Sequence, residues 1–173
     1  MNIRRVTLTA LGGLSLVASM AAAAGTEADN RLIERGKYLA RVSGCNDCHT
    51  PGYMESSGKV PVQQWLTGSA VGFQGPWGTT YPSNLRLAVS GMTEAQWLAR
   101  ARTPMRPPMP WFNLSAMSDR DLIALYRFVR SLGPAGEPTP QAAAPGVAVA
   151  TPYFEFTPKN LPALSVAEEQ ALR

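Results

Sequence analysis

Cys45-Asn46-Asp47-Cys48-His49 places two thiols three residues apart with an imidazole directly after the second. The chain has only these two cysteines and this one histidine. A structural zinc site of Cys and His needs four such ligands, so zinc fails on count. A redox dithiol needs only the C-x-x-C and usually opens a helix that follows a strand, whereas the segment before Cys45 reads as helix and His49 follows at once. C-x-x-C-H is the pattern of covalent haem attachment. Each thiol can add across one haem vinyl group, and the adjoining imidazole is then held beneath the iron as the proximal ligand. Cys45, Cys48 and His49 are therefore the candidate residues for one covalently attached haem c, with a bare dithiol as the alternative.

The N-terminus fits the compartment that this chemistry needs. Arg4 and Arg5 precede a moderately apolar run over 6–21, and the alanines before Gly25 suit A-x-A cleavage. Thr7, Thr9, Gly12, Gly13, Ser15 and Ser19 dilute the run, which is thin for a stable membrane span. The expected organisation is a signal peptide over 1–24, a haem domain over 25–134 and a Pro/Ala-rich extension over 135–173. The alternative for the first segment is a retained anchor. The expected location is periplasmic, with no membrane span after cleavage.

Charge narrows the partners. The whole chain carries 16 Lys and Arg against 12 Asp and Glu, and loss of Arg4 and Arg5 leaves 14 against 12. The basic excess sits in 31–134 and the extension is mildly acidic. Such a module suits steered encounter with an acidic redox partner. Nucleic acid is not expected of an exported chain that lacks a lysine-rich stripe.

Three helices are legible. Leu32, Leu39 and Val42, with Ile33 and Tyr38 adjoining, form a helix-like stripe over 31–42. Thr93-Glu94-Ala95-Gln96 has the form of a capping box and opens a second helix to about residue 102. Ser118 with Asp119 and Asp121 opens a third over 122–132, where Leu122, Leu125, Tyr126 and Val129 recur at helical spacing. Gly133-Pro134 stops it. The stretch 51–90, rich in Gly, Pro, Ser and aromatics, reads as a long loop wrapping a cofactor, and no strand signal stands out. Beyond Pro134 the chain reads as an extended linker over 135–150. The cluster Tyr153-Phe154-Glu155-Phe156 after it is a candidate strap, with an incidental aromatic cluster in a disordered tail as the alternative.

With one histidine in the chain, a second axial donor falls to methionine. Met54 lies only five residues past His49, and Met92 and Met117 sit just before helix caps. Met105 and Met109 lie in Thr103-Pro104-Met105-Arg106-Pro107-Pro108-Met109-Pro110-Trp111, where four prolines restrict the backbone. Met109, bracketed by Pro108 and Pro110, is the favoured ligand and Met105 the next. Both filling gaps in the core is the remaining reading.

Gly36-Lys37-Tyr38-Leu39, Cys45-Asn46-Asp47-Cys48-His49-Thr50-Pro51, Pro108-Met109-Pro110-Trp111, Met117-Ser118-Asp119-Arg120-Asp121-Leu122 and Phe128-Val129-Arg130-Ser131-Leu132 together resemble a class I, mono-haem cytochrome c. The chain is most similar to the small modules that serve bacterial periplasmic alcohol and aldehyde dehydrogenases. The resemblance implies an all-α fold of three to four helices and long loops around one haem, with His49 and Met109 on the iron. It also implies that the first and last helices cross through Gly36, Tyr38 and Phe128. Residues 75–84 resemble the family's loop over the haem propionates, which makes Trp77, Tyr81 and Asn84 candidate pocket residues. The expected function is one-electron transfer from a dehydrogenase or other donor to an oxidase or another cytochrome, without catalysis by the chain itself. A haem sensor or enzyme with a displaceable sixth ligand, or a non-catalytic subunit of a dehydrogenase complex, is the alternative. Peroxidase chemistry is disfavoured because no second histidine exists to act as a distal base.

Overall fold

The helical stripe around Leu32 and Leu39 belongs to a longer helix, α1, Gly13–Val42. The computed structural model describes residues 13–160, with side chains from residue 26 onward, so the expected signal lies outside the described residues over 1–12 and is seen only as backbone beyond that. No helix among the described residues is long and apolar enough to cross a membrane. Gly44, at φ 71°, turns the chain out of α1 and stands at the N-terminus of α2, Cys45–His49. That left-handed conformation is easy only for glycine.

The last helix, α6, is Asp119–Leu132, and the Ser118 side chain accepts from the Asp121 backbone N–H at its start. Leu122, Leu125, Phe128 and Val129 are buried along its inner face. α1 lies against α6 at Gly36, where a Cβ would overlap the Ala124 carbonyl oxygen and stand 2.7 Å from Phe128 Cβ. Gly36 and Phe128 thus form the expected crossing. Tyr38 does not: it is 56% exposed, with the Arg35 guanidinium over its ring. Two positions on from Gly36, its side chain points away from the face that meets α6.

Trp65 completes the core. It is fully buried, donates from Nε1 to the Val60 carbonyl at 2.8 Å, and meets Tyr53 and Phe128 edge-on at centroid distances of 5.8 and 6.1 Å. Between these helices lie α3, Leu85–Ser90, α4, Glu94–Ala101, and α5, Trp111–Ala116. The capping box of α4 forms as its sequence implies, with Thr93 and Gln96 satisfying each other's backbone N–H groups. Trp97 of α4 reaches α6, donating to the Leu122 carbonyl at 2.8 Å.

A small sheet forms where no strand signal stands out in the sequence. β1, Gly72–Gly75, and β2, Gly78–Thr80, form a tight antiparallel hairpin, and β3, Tyr153–Glu155, pairs parallel to β1. Glycine at positions 72, 75 and 78 masks the alternation by which strands are read, and the third strand arrives from the far end of the chain. The helix-rich architecture holds; the sheet is a small addition on one side.

The crossing at Gly36 yields a direct test. The Ala124 backbone cannot yield as a side chain can, so Gly36→Ala should destabilise the protein by about 2–3 kcal/mol through overpacking, seen as a lower urea midpoint with little change in slope. A midpoint equal to wild type would show that the helices separate without cost.

Candidate functional site

Cys45, Cys48 and His49 occupy positions i, i+3 and i+4 of α2, which places all three on one helical face. The helix is braced from beneath. Asn46, fully buried, donates to the Ala40 carbonyl at 3.5 Å and accepts from the Thr50 hydroxyl at 2.7 Å. The same Thr50 oxygen accepts from the Leu66 backbone N–H at 2.8 Å. Leu66 has φ 63°, an uncommon conformation for a branched residue, and its carbonyl also accepts from the Leu85 N–H at 3.0 Å.

Both thiols are free and partly exposed. Burial pushes the Cys45 thiol up to about 11, with Asp47 and Cys48 adding to the shift, and burial with Asp47 also raises Cys48. A reactive redox dithiol requires the opposite, a thiol lowered by a nearby cation or a helix N-terminus. Burial and Asp47 thus work against the thiolate that the dithiol alternative needs.

His49 is 8% exposed, and its Nδ1 lies 2.7 Å from the Ser83 carbonyl oxygen. A carbonyl oxygen can only accept, so Nδ1 carries the proton and the lone pair of the neutral ring sits on Nε2. Burial lowers the imidazole pKa, and the Ser83 hydrogen bond opposes that shift. The ring is thus held neutral, in one tautomer, with Nε2 as its donor atom. Two thiols and a tautomer-locked imidazole on one face form a donor set that fits a covalently tethered haem.

Of the methionines, Met54 is 54% exposed and points away from the core. Met92 and Met117 flank helices, and Met92 is tied through its carbonyl to the Tyr126 hydroxyl at 2.9 Å. Met105 and Met109 are both partly buried against the core, so burial does not separate them. Their loop is anchored where Thr80 Oγ1 donates to the Pro107 carbonyl at 2.7 Å and the Trp111 N–H donates to the Met109 carbonyl at 2.8 Å. The Pro107–Pro108 peptide is cis. Residues 80–83 therefore touch both halves of the candidate site: Ser83 holds His49 and Thr80 holds the methionine loop.

The loop residues Trp77, Tyr81 and Asn84 have their polar ends engaged. Trp77 Nε1 donates to the Phe73 carbonyl at 3.3 Å, and its ring packs against Phe156. The Tyr81 hydroxyl meets that of Thr151. Asn84 is buried, caps α3 by accepting from the Leu87 N–H at 3.1 Å, and donates to the Ala135 and Glu137 carbonyls at 2.8 and 3.1 Å. Arg86, which the sequence did not single out, is buried and donates to the carbonyls of Gln63 and Gly133, both at 2.6 Å, and of Leu132. Burial lowers its pKa, but a guanidinium stays charged. Three backbone acceptors compensate it, two of them, Leu132 and Gly133, at the end of α6. Neither Ser83 nor Arg86 could be found from motif spacing, because each acts with a backbone carbonyl and carbonyls leave no trace in a sequence.

The family model for cytochrome c matches residues 33–133. The chain is 29% identical over 153 residues to the cytochrome c subunit of a quinone alcohol dehydrogenase from Komagataeibacter europaeus, covering 81% of this chain and 30% of that subunit. It is 31% identical over 132 residues to the corresponding subunit from Gluconobacter oxydans (strain 621H), covering 70% of this chain and 25% of that one. A gluconate 2-dehydrogenase cytochrome c subunit from Pantoea cypripedii is 28% identical over 122 residues, covering 64% of this chain and 25% of that subunit. The chain thus spans less than a third of the length of the curated relatives it matches. No solved structure matches it significantly. With the family match spanning α2, the methionine loop and α6, the chain belongs to the cytochrome c family, c-type proteins with covalently bound haem that take part in electron transfer.

Proposed function

We propose that this chain is a periplasmic one-electron carrier with a single haem c, held by thioether bonds at Cys45 and Cys48 and ligated by His49 Nε2 and Met109. The observation that carries the reading is the placement of Cys45, Cys48 and His49 on one face of α2, with His49 Nδ1 donating to Ser83 at 2.7 Å. Bound there, haem c supplies a one-electron iron couple. The chain supplies the rest. The thiols add their S–H bonds across two vinyl groups, and the Ser83 carbonyl keeps His49 in the tautomer that offers Nε2. Burial of the imidazole excludes water from that donor. Methionine as the second donor raises the potential relative to two imidazoles, and the proline-bracketed Met109 lies in a loop pinned by Thr80. Met105, similarly buried, is the competing donor. Trp77, Tyr81 and Asn84 are assigned to the pocket wall through ring faces and loop position, since their polar groups are engaged elsewhere.

The likeness to dehydrogenase cytochrome subunits supports a dehydrogenase as electron donor, with an oxidase or another cytochrome as acceptor. In this reading residues 1–24 direct export and the domain begins near Gly25. Association with a dehydrogenase complex as a non-catalytic subunit is the second reading, and the same likeness favours it. Of the basic residues near the methionine loop, Arg102 is neutralised by Asp119 at 2.6 Å and also bonds the Ser115 carbonyl. Arg106 is exposed and makes no ion pair among the described residues, which leaves it as the steering charge at that edge.

Three measurements bear on this proposal. Replacing both Cys45 and Cys48 by alanine should abolish covalent haem; pigment that survives acid-acetone extraction from the double variant would mean that attachment lies elsewhere. Met109→Ala should remove the long-wavelength thioether-to-iron band of the oxidised protein, lower the potential and allow rapid carbon monoxide binding, whereas Met105→Ala should leave all three near wild type. The reverse pattern transfers the role to Met105. Finally, electron transfer with a native donor should slow as ionic strength rises, and Arg106→Glu should slow it at low salt with little change in potential. A rate flat in salt would assign the encounter to apolar contact instead.

A further inference from the structure

Residues 135–156 do not trail away from the domain. We propose that they form a strap that positions His49 and the Met109 loop by clamping residues 79–84 between them. The proposal rests on the reading of His49 and Met109 as the iron's donors.

The clamp has several independent contacts. Thr79 and Ala143 exchange both backbone hydrogen bonds, at 2.9 and 3.1 Å, and the Tyr81 hydroxyl meets that of Thr151. Asn84 donates both amide hydrogens to the strap, at Ala135 and Glu137. Farther along, the Gly72 N–H donates to the Pro152 carbonyl at 2.8 Å and the Phe156 N–H to the Gln74 carbonyl at 2.7 Å. Phe73 packs against both Phe154 and Phe156, each at a centroid distance of 5.6 Å. A two-stranded hairpin is marginal by itself; β3 turns this one into a three-stranded sheet.

Clamped and acting residues alternate along the segment. Thr79, Tyr81 and Asn84 face the strap, while Thr80 holds Pro107 and Ser83 holds His49. Each acting residue adjoins a clamped one, at about 3.8 Å between Cα atoms, so displacement of one moves the other. A second route reaches His49 through Gly68, whose N–H donates to the His49 carbonyl at 2.8 Å. Gly68 has φ 78°, and a Cβ there would crowd Asn84 N at 2.6 Å and Thr139 Cγ2 at 2.5 Å. Strap, Asn84 and the His49 segment converge at that glycine with no room between them.

The test uses the full-length haem-loaded protein. Thr151→Val removes the Tyr81 contact, Thr151→Ser keeps it, and Phe154→Ser loosens the strap at a side chain that is 51% exposed and so not needed for the core. Amide exchange is read at Ser69 and Leu85, whose N–H groups bond Pro82 and Leu66 rather than the strap. Thr151→Val and Phe154→Ser should each raise exchange there roughly fivefold, the factor carried by one net hydrogen bond. Both should also lower the reduction potential and speed carbon monoxide binding to the ferrous form, and Thr151→Ser should restore wild-type values. Exchange unchanged in both variants overturns the clamp. Exchange raised with potential and carbon monoxide binding unaltered overturns its positioning role. Met109→Ala run alongside separates the two readings: if it leaves the thioether band intact, the ligand assignment fails, while the exchange data still judge the clamp without reference to iron.

Discussion

At Gly36 the backbone of α1 rests against the Ala124 carbonyl of α6 with no side chain between them. The site inherits its placement from that contact. α1 continues as a rigid rod for six residues beyond Gly36, about 9 Å at the helical rise, before Gly44 turns the chain into α2. The cysteines and His49 follow without a flexible linker. Phe128, one turn along α6 from Ala124, carries the same packing into Trp65. Trp65 precedes Leu66, and Leu66 bonds Thr50 directly behind His49. A short path of buried groups therefore joins the helix crossing to the imidazole.

The polar chemistry around the site depends on backbone carbonyls. Ser83 orients His49, Pro107 anchors the methionine loop, and Gln63, Leu132 and Gly133 compensate the buried Arg86. Carbonyls are acceptors that cannot titrate, so none of these contacts changes with pH as a carboxylate partner would. Arg86 also meets the negative end of the α6 macrodipole, where a cation is favoured. Surface ion pairs such as Arg35 with Asp121 and Arg127 with Glu94 contribute little beside this, because solvent screens exposed charges.

Features carried by side-chain type and spacing were legible in the sequence. The Cys45–His49 segment, the Thr93 capping box and the amphipathic face of α6 were all readable, because thiols, caps and apolar stripes leave their chemistry in the residues. Three kinds of feature were not. Glycine at 72, 75 and 78 interrupts the hairpin, and its third strand comes from more than seventy residues away. α2, α3 and α5 have six residues or fewer, too short for a periodicity to show. The roles of Ser83, Thr80 and Arg86 depend on where carbonyls arrive after folding. Tyr38 illustrates the converse: the family resemblance implied a place for it in the crossing, but the helical period turns it to solvent.

The extension after α6 is where composition misleads most. Proline and alanine in plenty suggest a linker, because such a segment has little apolar surface to bury. Residues 135–152 are held through their backbone instead: Ala135, Glu137, Ala143 and Pro152 all contribute carbonyls to the domain. Proline suits that task, since its fixed φ lowers the entropy lost when an extended segment is ordered. The aromatic side chains come only at the end, where Phe154 and Phe156 close over Phe73 and Trp77. A segment that bonds Asn84 and Tyr81 on the loop behind His49 is better understood as part of the wall that holds the site than as a tether between domains.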